Sequence, residues 1–479
     1  MNLVRALATN MAIGTAGKVV TTLIGLLTIA VLTRHLGPTE FGYYRTVLTF
    51  VSFACILADL GLYFVVLREI SRPDADVPRV LGAALLLRLL GTGSVLFASA
   101  CVALLLPYDG VVQRGMFLGA LMYTAYQGTE LLAAVFQMRL RQGRYVFAEI
   151  AGMLLALVAM LGLAWVGAGF IPMLAATVVG TLITFLLTWR FARGLQPFRL
   201  TLDLPLWRTF VAAGLPLAAS HALGIAILRG DILVLSLLRP ADEVGIYGVP
   251  AKMFEITAAL PFMFAGFMLP VLTAAAAGRD RAAFARSLSD ALAAVLMYGL
   301  AVILVFAFSG REVIRLIAGE AFVAGAPALA VLAFAMACNG ISSVLRFALV
   351  SLERPRAVLL SDALGFVVAA LAYPVLISLH SLLGAALARL LAECALLAGM
   401  TFGLRRAGYA VGLPPQTAPA AMAAAVAIAT SILLRRLEVH WSVDLTVPCI
   451  VFLGLLVLLG AVPRTVLEAI TRGGQARAT

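Results

Sequence analysis

The chain of 479 residues is 63% hydrophobic and 12% charged, with a formal net charge of +12, whereas soluble domains average roughly 45–50% apolar and roughly 25% charged residues. That balance excludes a string of soluble domains and predicts an integral membrane protein, all α-helical. The positive charge has no soluble face on which to gather, so nucleic acid is excluded as a partner.

A helix that crosses a hydrocarbon core of about 30 Å needs about 20 apolar residues. From the N-terminus, apolar runs fall at approximately 11–33, 44–66, 80–106, 115–138, 145–166, 169–191 and 210–236. They continue at approximately 244–272, 287–308, 325–350, 357–377, 381–402, 414–434 and 446–463, about 14 transmembrane helices in all. The first run passes Lys18 without a small-residue cleavage site, so it reads as an uncleaved span rather than a signal peptide. Arginines crowd alternate loops, as at Arg139, Arg141 and Arg144, then Arg190, Arg193, Arg199 and Arg208, then Arg405 and Arg406. The positive-inside rule therefore predicts both termini in the cytoplasm. Trp165, Trp189, Trp207 and Trp441 fall near predicted span ends, where amphipathic rings settle. Cys55, Cys101, Cys338, Cys394 and Cys449 lie scattered in apolar segments and the four histidines are dispersed. No metal or cofactor is expected.

Two loops share a phrase. "HLGPTEFGYYR" (35–45) joins the first two spans and "RPADEVGIYG" (239–248) joins the seventh and eighth, and both contain Glu-x-Gly-x-Tyr: Glu40, Gly42, Tyr44 and Glu243, Gly245, Tyr247. An even number of spans separates the copies, so the halves run the same way through the membrane. That is a parallel repeat about an axis along the membrane normal. The alternative is a generic tight turn in which glycine supplies backbone freedom.

"LGPTEFGYYR" (36–45), "DLGL" (59–62), "RLRQGRY" (139–145), "GLPLAASHALGIAILRGDILVLSLLRPADEVGIYG" (214–248) and "LPFMFAGFMLP" (260–270) resemble the Wzx-type polysaccharide flippases. These belong to the multidrug/oligosaccharidyl-lipid/polysaccharide exporter superfamily. The resemblance implies a V-shaped pair of pseudo-symmetric six-helix bundles plus a C-terminal helix pair. The expected divisions are 1–195 for the N-terminal bundle, 196–403 for a linker and the C-terminal bundle, and 404–479 for the helix pair and tail. It also implies that the chain moves a lipid-linked oligosaccharide across the bacterial inner membrane, for a surface glycan such as O-antigen or exopolysaccharide. A polysaccharide polymerase is then an expected partner.

Ionisable groups inside spans are costly and are usually paired or functional. Arg389 has Glu393 four residues on, Lys252 has Glu255 three on, and Arg286 precedes Asp290 by four, so each can be neutralised on its own helix. Arg346 lies near a span end and can snorkel. Lys18, Arg88 and Arg229 have no opposite charge three or four residues away. They are candidate substrate-binding residues, Arg229 lying deepest, because a guanidinium fork or an ammonium suits a pyrophosphate. Asp231 and Glu255 are candidates for a coupling proton or sodium ion. In the fourth span Tyr123, Tyr126, Gln127, Glu130 and Gln137 share one helical face. They suit stacking and hydrogen bonding to sugars, or equally interhelical hydrogen-bond glue.

No acid pair, nucleophile motif or phosphate loop stands out, so an enzyme is not expected. The competing reading is a small-molecule cation antiporter of the same superfamily, for which Asp59, Glu130, Asp231 and Asp362 supply acidic groups within spans. Pro216, Pro250, Pro261 and Pro270 interrupt the seventh and eighth spans, as either hinges or static kinks.

Overall fold

A computed structural model describes residues 3–58, 61–72, 74–278, 280–409, 412, 414–437 and 441–461. Asp59, the end of the last predicted span beyond 461 and the side chain of Pro216 lie outside the described residues. The helices are α1 (Leu3–Ala58), α2 (Leu62–Ile70), α3 (Val77–Ala103), α4 (Gly110–Met138), α5 (Gln142–Trp165), α6 (Phe170–Leu195) and α7 (Leu204–Leu238). They continue with α8 (Ala241–Ala277), α9 (Arg281–Ile303), α10 (Gly310–Ala318), α11 (Ala326–Ser351), α12 (Pro355–Arg406), α13 (Thr417–Arg436) and α14 (Trp441–Leu458). Among the described residues there is no strand. Nine stretches there are long and apolar enough to cross a membrane, several of them longer than one crossing needs. α4, which carries the Tyr/Gln/Glu stripe, is not among the nine.

The two longest helices are each broken once. α1 leaves helical geometry at Gly37, whose φ of 67° only glycine adopts at little cost, and Pro38 follows with no N–H to continue the ladder. α12 breaks at Ser381 (φ 49°). Its two arms double back so tightly that a Cβ on Gly384 would lie 1.8 Å from the Leu376 carbonyl oxygen. Helix starts elsewhere follow local chemistry. Asp76, Asp203 and Asp280 cap α3, α7 and α9, each carboxylate accepting from the backbone N–H three residues on.

The chain divides into two compact units: Met1–Gly245 with Ile317–Gly319, and Ile246–Leu316 with the chain from Glu320 on. α7 packs within the first unit. The reason is visible at its start. Arg79 of α3 reaches Asp203 at 2.6 Å, the Trp207 indole donates to the Ala83 carbonyl at 2.9 Å, and Phe210 is buried among residues of α2, α3 and α4.

In the second unit, α11 packs against α9 and both arms of α12, while the alanine face of α13 packs on α14 and the end of the α9 rod. α8 runs through Pro250, Pro261 and Pro270. Pro261 has no N–H to give the Thr257 carbonyl, and the Tyr298 hydroxyl of α9 donates to that oxygen at 2.8 Å instead. A neighbouring helix thus satisfies the bond that the proline removes, which is what makes such a proline tolerable inside a span.

Candidate functional site

The repeated phrase does not form turns. Glu40–Tyr44 and Glu243–Tyr247 lie in helix, just after Pro38 and Pro240, with their glutamates in a first turn where the helix dipole favours them. The glycines serve close approach rather than backbone freedom. A Cβ on Gly42 would sit 1.8 Å from the Ala241 carbonyl oxygen, and one on Gly245 would sit 1.9 Å from that of Pro38. The two copies therefore touch backbone to backbone within the first unit. Tyr44 is buried and shares a hydrogen bond of 3.2 Å with Thr177 of α6, while Tyr247 is buried in the second unit.

The polar stripe on α4 splits between two environments. Gln127 is buried and donates to the Cys55 sulfur of α1 at 2.8 Å, so it joins helices rather than facing an open space. Tyr123 and Tyr126 meet edge to face, with ring centroids 5.9 Å apart, and Tyr126 remains 46% exposed. One turn on, Glu130 accepts a hydrogen bond of 3.1 Å from the Tyr145 hydroxyl of α5. Gln137 accepts one from Tyr63 of α2.

Around this stripe the first unit gathers charge of both signs. Arg229 is half-buried on α7, in the same unit as the stripe. Glu149 is half-buried on α5, one turn on from Tyr145, whose hydroxyl Glu130 holds. Lys18 is exposed on α1, whose Gly17 packs directly against Val146 of α5, the helix that carries Glu149. Tyr123, Tyr126, Glu130 and Tyr145 are thus brought together, while Lys18 stands on a helix packed against α5 and Arg229 lies elsewhere in the same unit. Arg88 sits on the buried face of α3, 3% exposed, and is far less accessible than Lys18 or Arg229. Asp231 is likewise buried, its carboxylate accepting from the Ile232 N–H.

Glu149 and Tyr145 are members of this cluster that the sequence reading passed over. The signal was present, since Glu149 is an ionisable residue within the fifth apolar run, four residues after a tyrosine.

The second unit treats its charges differently. Lys252 and Glu255 pair at 2.9 Å, and Arg389 and Glu393 pair at 3.1 Å, as their helical spacing predicts. Arg346 does not snorkel. Its guanidinium grips Asp362 of α12 through two bonds of 2.5 and 2.8 Å. Arg286 and Asp290 form no ion pair, Arg286 being exposed.

The helix order and the polar cluster define a helical membrane protein with the fold of the MOP transporters. The chain is similar to the lipid II flippase MurJ in its inward closed conformation, with a TM-score of 0.73 and 10% identity over 94% of this chain and 98% of that one. It is similar to an inward-facing multidrug resistance MATE family transporter of the MOP superfamily (TM-score 0.64, 15% identity, 81% of this chain, 94% of that chain). A MOP superfamily transporter from Pyrococcus furiosus, described by the reverse polarity of its binding pocket, matches with a TM-score of 0.52 and 14% identity over 84% and 95% of the two chains. No curated protein sequence matches. Residues 7–275 match the polysaccharide biosynthesis protein family, and the chain belongs to it.

Proposed function

We propose that the protein is a flippase that carries a polyprenyl-pyrophosphate-linked oligosaccharide from the cytoplasmic to the outer leaflet of the bacterial inner membrane, for surface polysaccharide assembly. It does so with about 14 crossings and both termini inside. The observation that carries this reading is a cation and accessible aromatic rings in one unit. Arg229 is half-buried on α7, and in the same unit Tyr126, 46% exposed, meets Tyr123 edge to face on α4. A guanidinium binds phosphate oxygens through its fork, while aromatic rings accept sugar faces. Lys18 adds a second positive charge within the unit and Arg88 a third. Membership of a polysaccharide biosynthesis family supports the glycan half of the proposal.

Transport by alternating access needs at least two states whose populations the substrate biases. Asp231 and Glu255 are the proposed coupling carboxylates for a proton or sodium ion. Glu255 already holds a cation, the Lys252 ammonium. A lipid-linked oligosaccharide delivered to the outer leaflet suits a polysaccharide polymerase as the next partner.

Glu130 and Glu149 favour a second reading. Two carboxylates in the same cluster suit a cationic drug, and the chain shares its fold with a multidrug transporter.

Complementation separates the two. Deleting the native gene in its host should abolish surface polysaccharide and let lipid-linked units accumulate. Arg229→Ala should fail to restore export at a normal protein level, and Arg229→Lys should restore it in part. Loss of drug resistance with surface polysaccharide intact would instead establish the antiporter.

A further inference from the structure

The second unit carries a cleft that the transport cluster does not use. It opens between the first turns of α12 and its last turns and encloses ≈ 650 Å³. Arg354, Arg356 and Arg406 stand at its mouth, with Glu353 the one acidic side chain there. All three arginines are exposed, and the Arg406 guanidinium lies over the Phe402 ring, 5.1 Å from its centroid. Below them the wall is apolar and open: Leu360, Leu364 and Phe402 are 70%, 45% and 59% exposed. The arms close at the floor, where a Cβ on Gly399 would press within 2.9 Å of Ser361. The result is a trough with a cationic end and a greasy length.

We propose that this cleft binds an anionic glycerophospholipid, its phosphate on Arg354, Arg356 and Arg406 and one acyl chain along Leu360, Leu364 and Phe402. Charge complementarity and amphipathic shape coincide in this cleft. Three guanidiniums at a span end, opposed by one carboxylate, call for a phosphate. An anion alone would leave the apolar wall unused, and a neutral lipid would leave the arginines unmatched. Phe402 links the two halves, lining the trough while its ring face lies under Arg406. The orientation proposed above puts this end of α12 in the cytoplasmic leaflet, yet binding itself does not depend on that orientation or on the identity of the transported substrate.

The test uses the purified full-length protein in detergent and reads lipid binding by native mass spectrometry. Phosphatidylglycerol, phosphatidylcholine with the same acyl chains, and glycerol 3-phosphate are titrated in parallel. Phosphatidylglycerol should bind most tightly. Each arginine near an anionic lipid headgroup contributes about fivefold in affinity, so the triple variant Arg354→Ala, Arg356→Ala, Arg406→Ala should weaken it by about a hundredfold. Leu360→Trp, which fills the trough from an exposed position, should weaken phosphatidylglycerol without changing the unfolding temperature. Arg190→Ala with Arg193→Ala, exposed on α6 in the first unit, should leave binding unchanged. Equal retention of phosphatidylcholine, wild-type affinity in the triple or Leu360→Trp variants, or an equal loss in the α6 control would overturn the proposal. So would displacement of the lipid by glycerol 3-phosphate at matching concentration, which would mark the arginines as an anion site only.

Discussion

The most buried ion pair and the most accessible charges lie in different units, although Arg88 and Asp231 of the first unit are themselves buried. In the second, Arg389 and Glu393 are 2% and 1% exposed, bonded to each other, with Asn339 donating to Glu393 at 3.1 Å and the Phe254 ring 4.4 Å beneath the guanidinium. Asp362 is equally buried under Arg346. In the first, Lys18 and Tyr126 are exposed and Arg229, Glu130 and Glu149 are half-buried, Glu130 accepting from the Tyr145 hydroxyl. A charge bonded on every side has a fixed partner and holds helices together. A charge with accessible surface can exchange its partner for a ligand, which is what a transport site requires.

The largest effect that could break this comparison is on stability. Arg389→Ala strands a buried carboxylate and should cost about 3–5 kcal/mol, seen as a large drop in unfolding temperature in detergent. Arg389→Met combined with Glu393→Leu should recover most of it, because no charge is then left buried. Unchanged stability in Arg389→Ala together with lost transport would move this pair into the functional set and erase the distinction between the units.

A smaller stability effect and a sharper functional one belong to the first unit. Glu149→Gln keeps the shape and a hydrogen-bonding group, so it should shift stability by about 1 kcal/mol or less. Removing that negative charge leaves Lys18 and Arg229 more strongly cationic. Export of a pyrophosphate-linked substrate should therefore persist, while a cation-transporting site would lose activity several-fold. Measuring export and drug protection in the same variant distinguishes the two readings.

Much of this contrast is written in local spacing. Arg389 and Glu393, or Lys252 and Glu255, lie within one helical turn, so any helix brings them together. The family likewise shows in short phrases such as "HLGPTEFGYYR". What sequence spacing conceals is tertiary. Asp362 lies sixteen residues from Arg346 and on the next helix, and the helices of Lys18 and Glu149 meet only because α1 packs on α5 at Gly17. The sorting of the α4 stripe into glue at Gln127 and accessible rings at Tyr126 depends on which neighbours surround each face. The same holds for Gly42 and Gly245, whose spacing suggests turns but whose role is contact.

The smallest expected effect lies at the loop that ties α7 to the first unit. Arg79 donates to Asp203 through Nε at 2.7 Å and Nη2 at 2.6 Å, and the Leu206 N–H donates to the same carboxylate. The hydrogen bond from Arg79, with the Leu206 bond second, holds the Asp203 carboxyl below its usual range. A depressed folded-state value means that the contribution is present above the ordinary carboxylate pKa of about 4 and is lost as pH falls through the folded value. The Arg79 side of the pair is exposed, so salt should weaken it. Asp203→Asn keeps a side-chain oxygen for the α7 cap but removes the charge. Its unfolding temperature should lie slightly below wild type from neutral pH down to the ordinary carboxylate range, and the gap should close in stronger acid or high salt. A gap that stays constant through acid would show that the cap, not the ion pair, binds α7 to α3, and that the charge contrast between the units stops at the membrane surface.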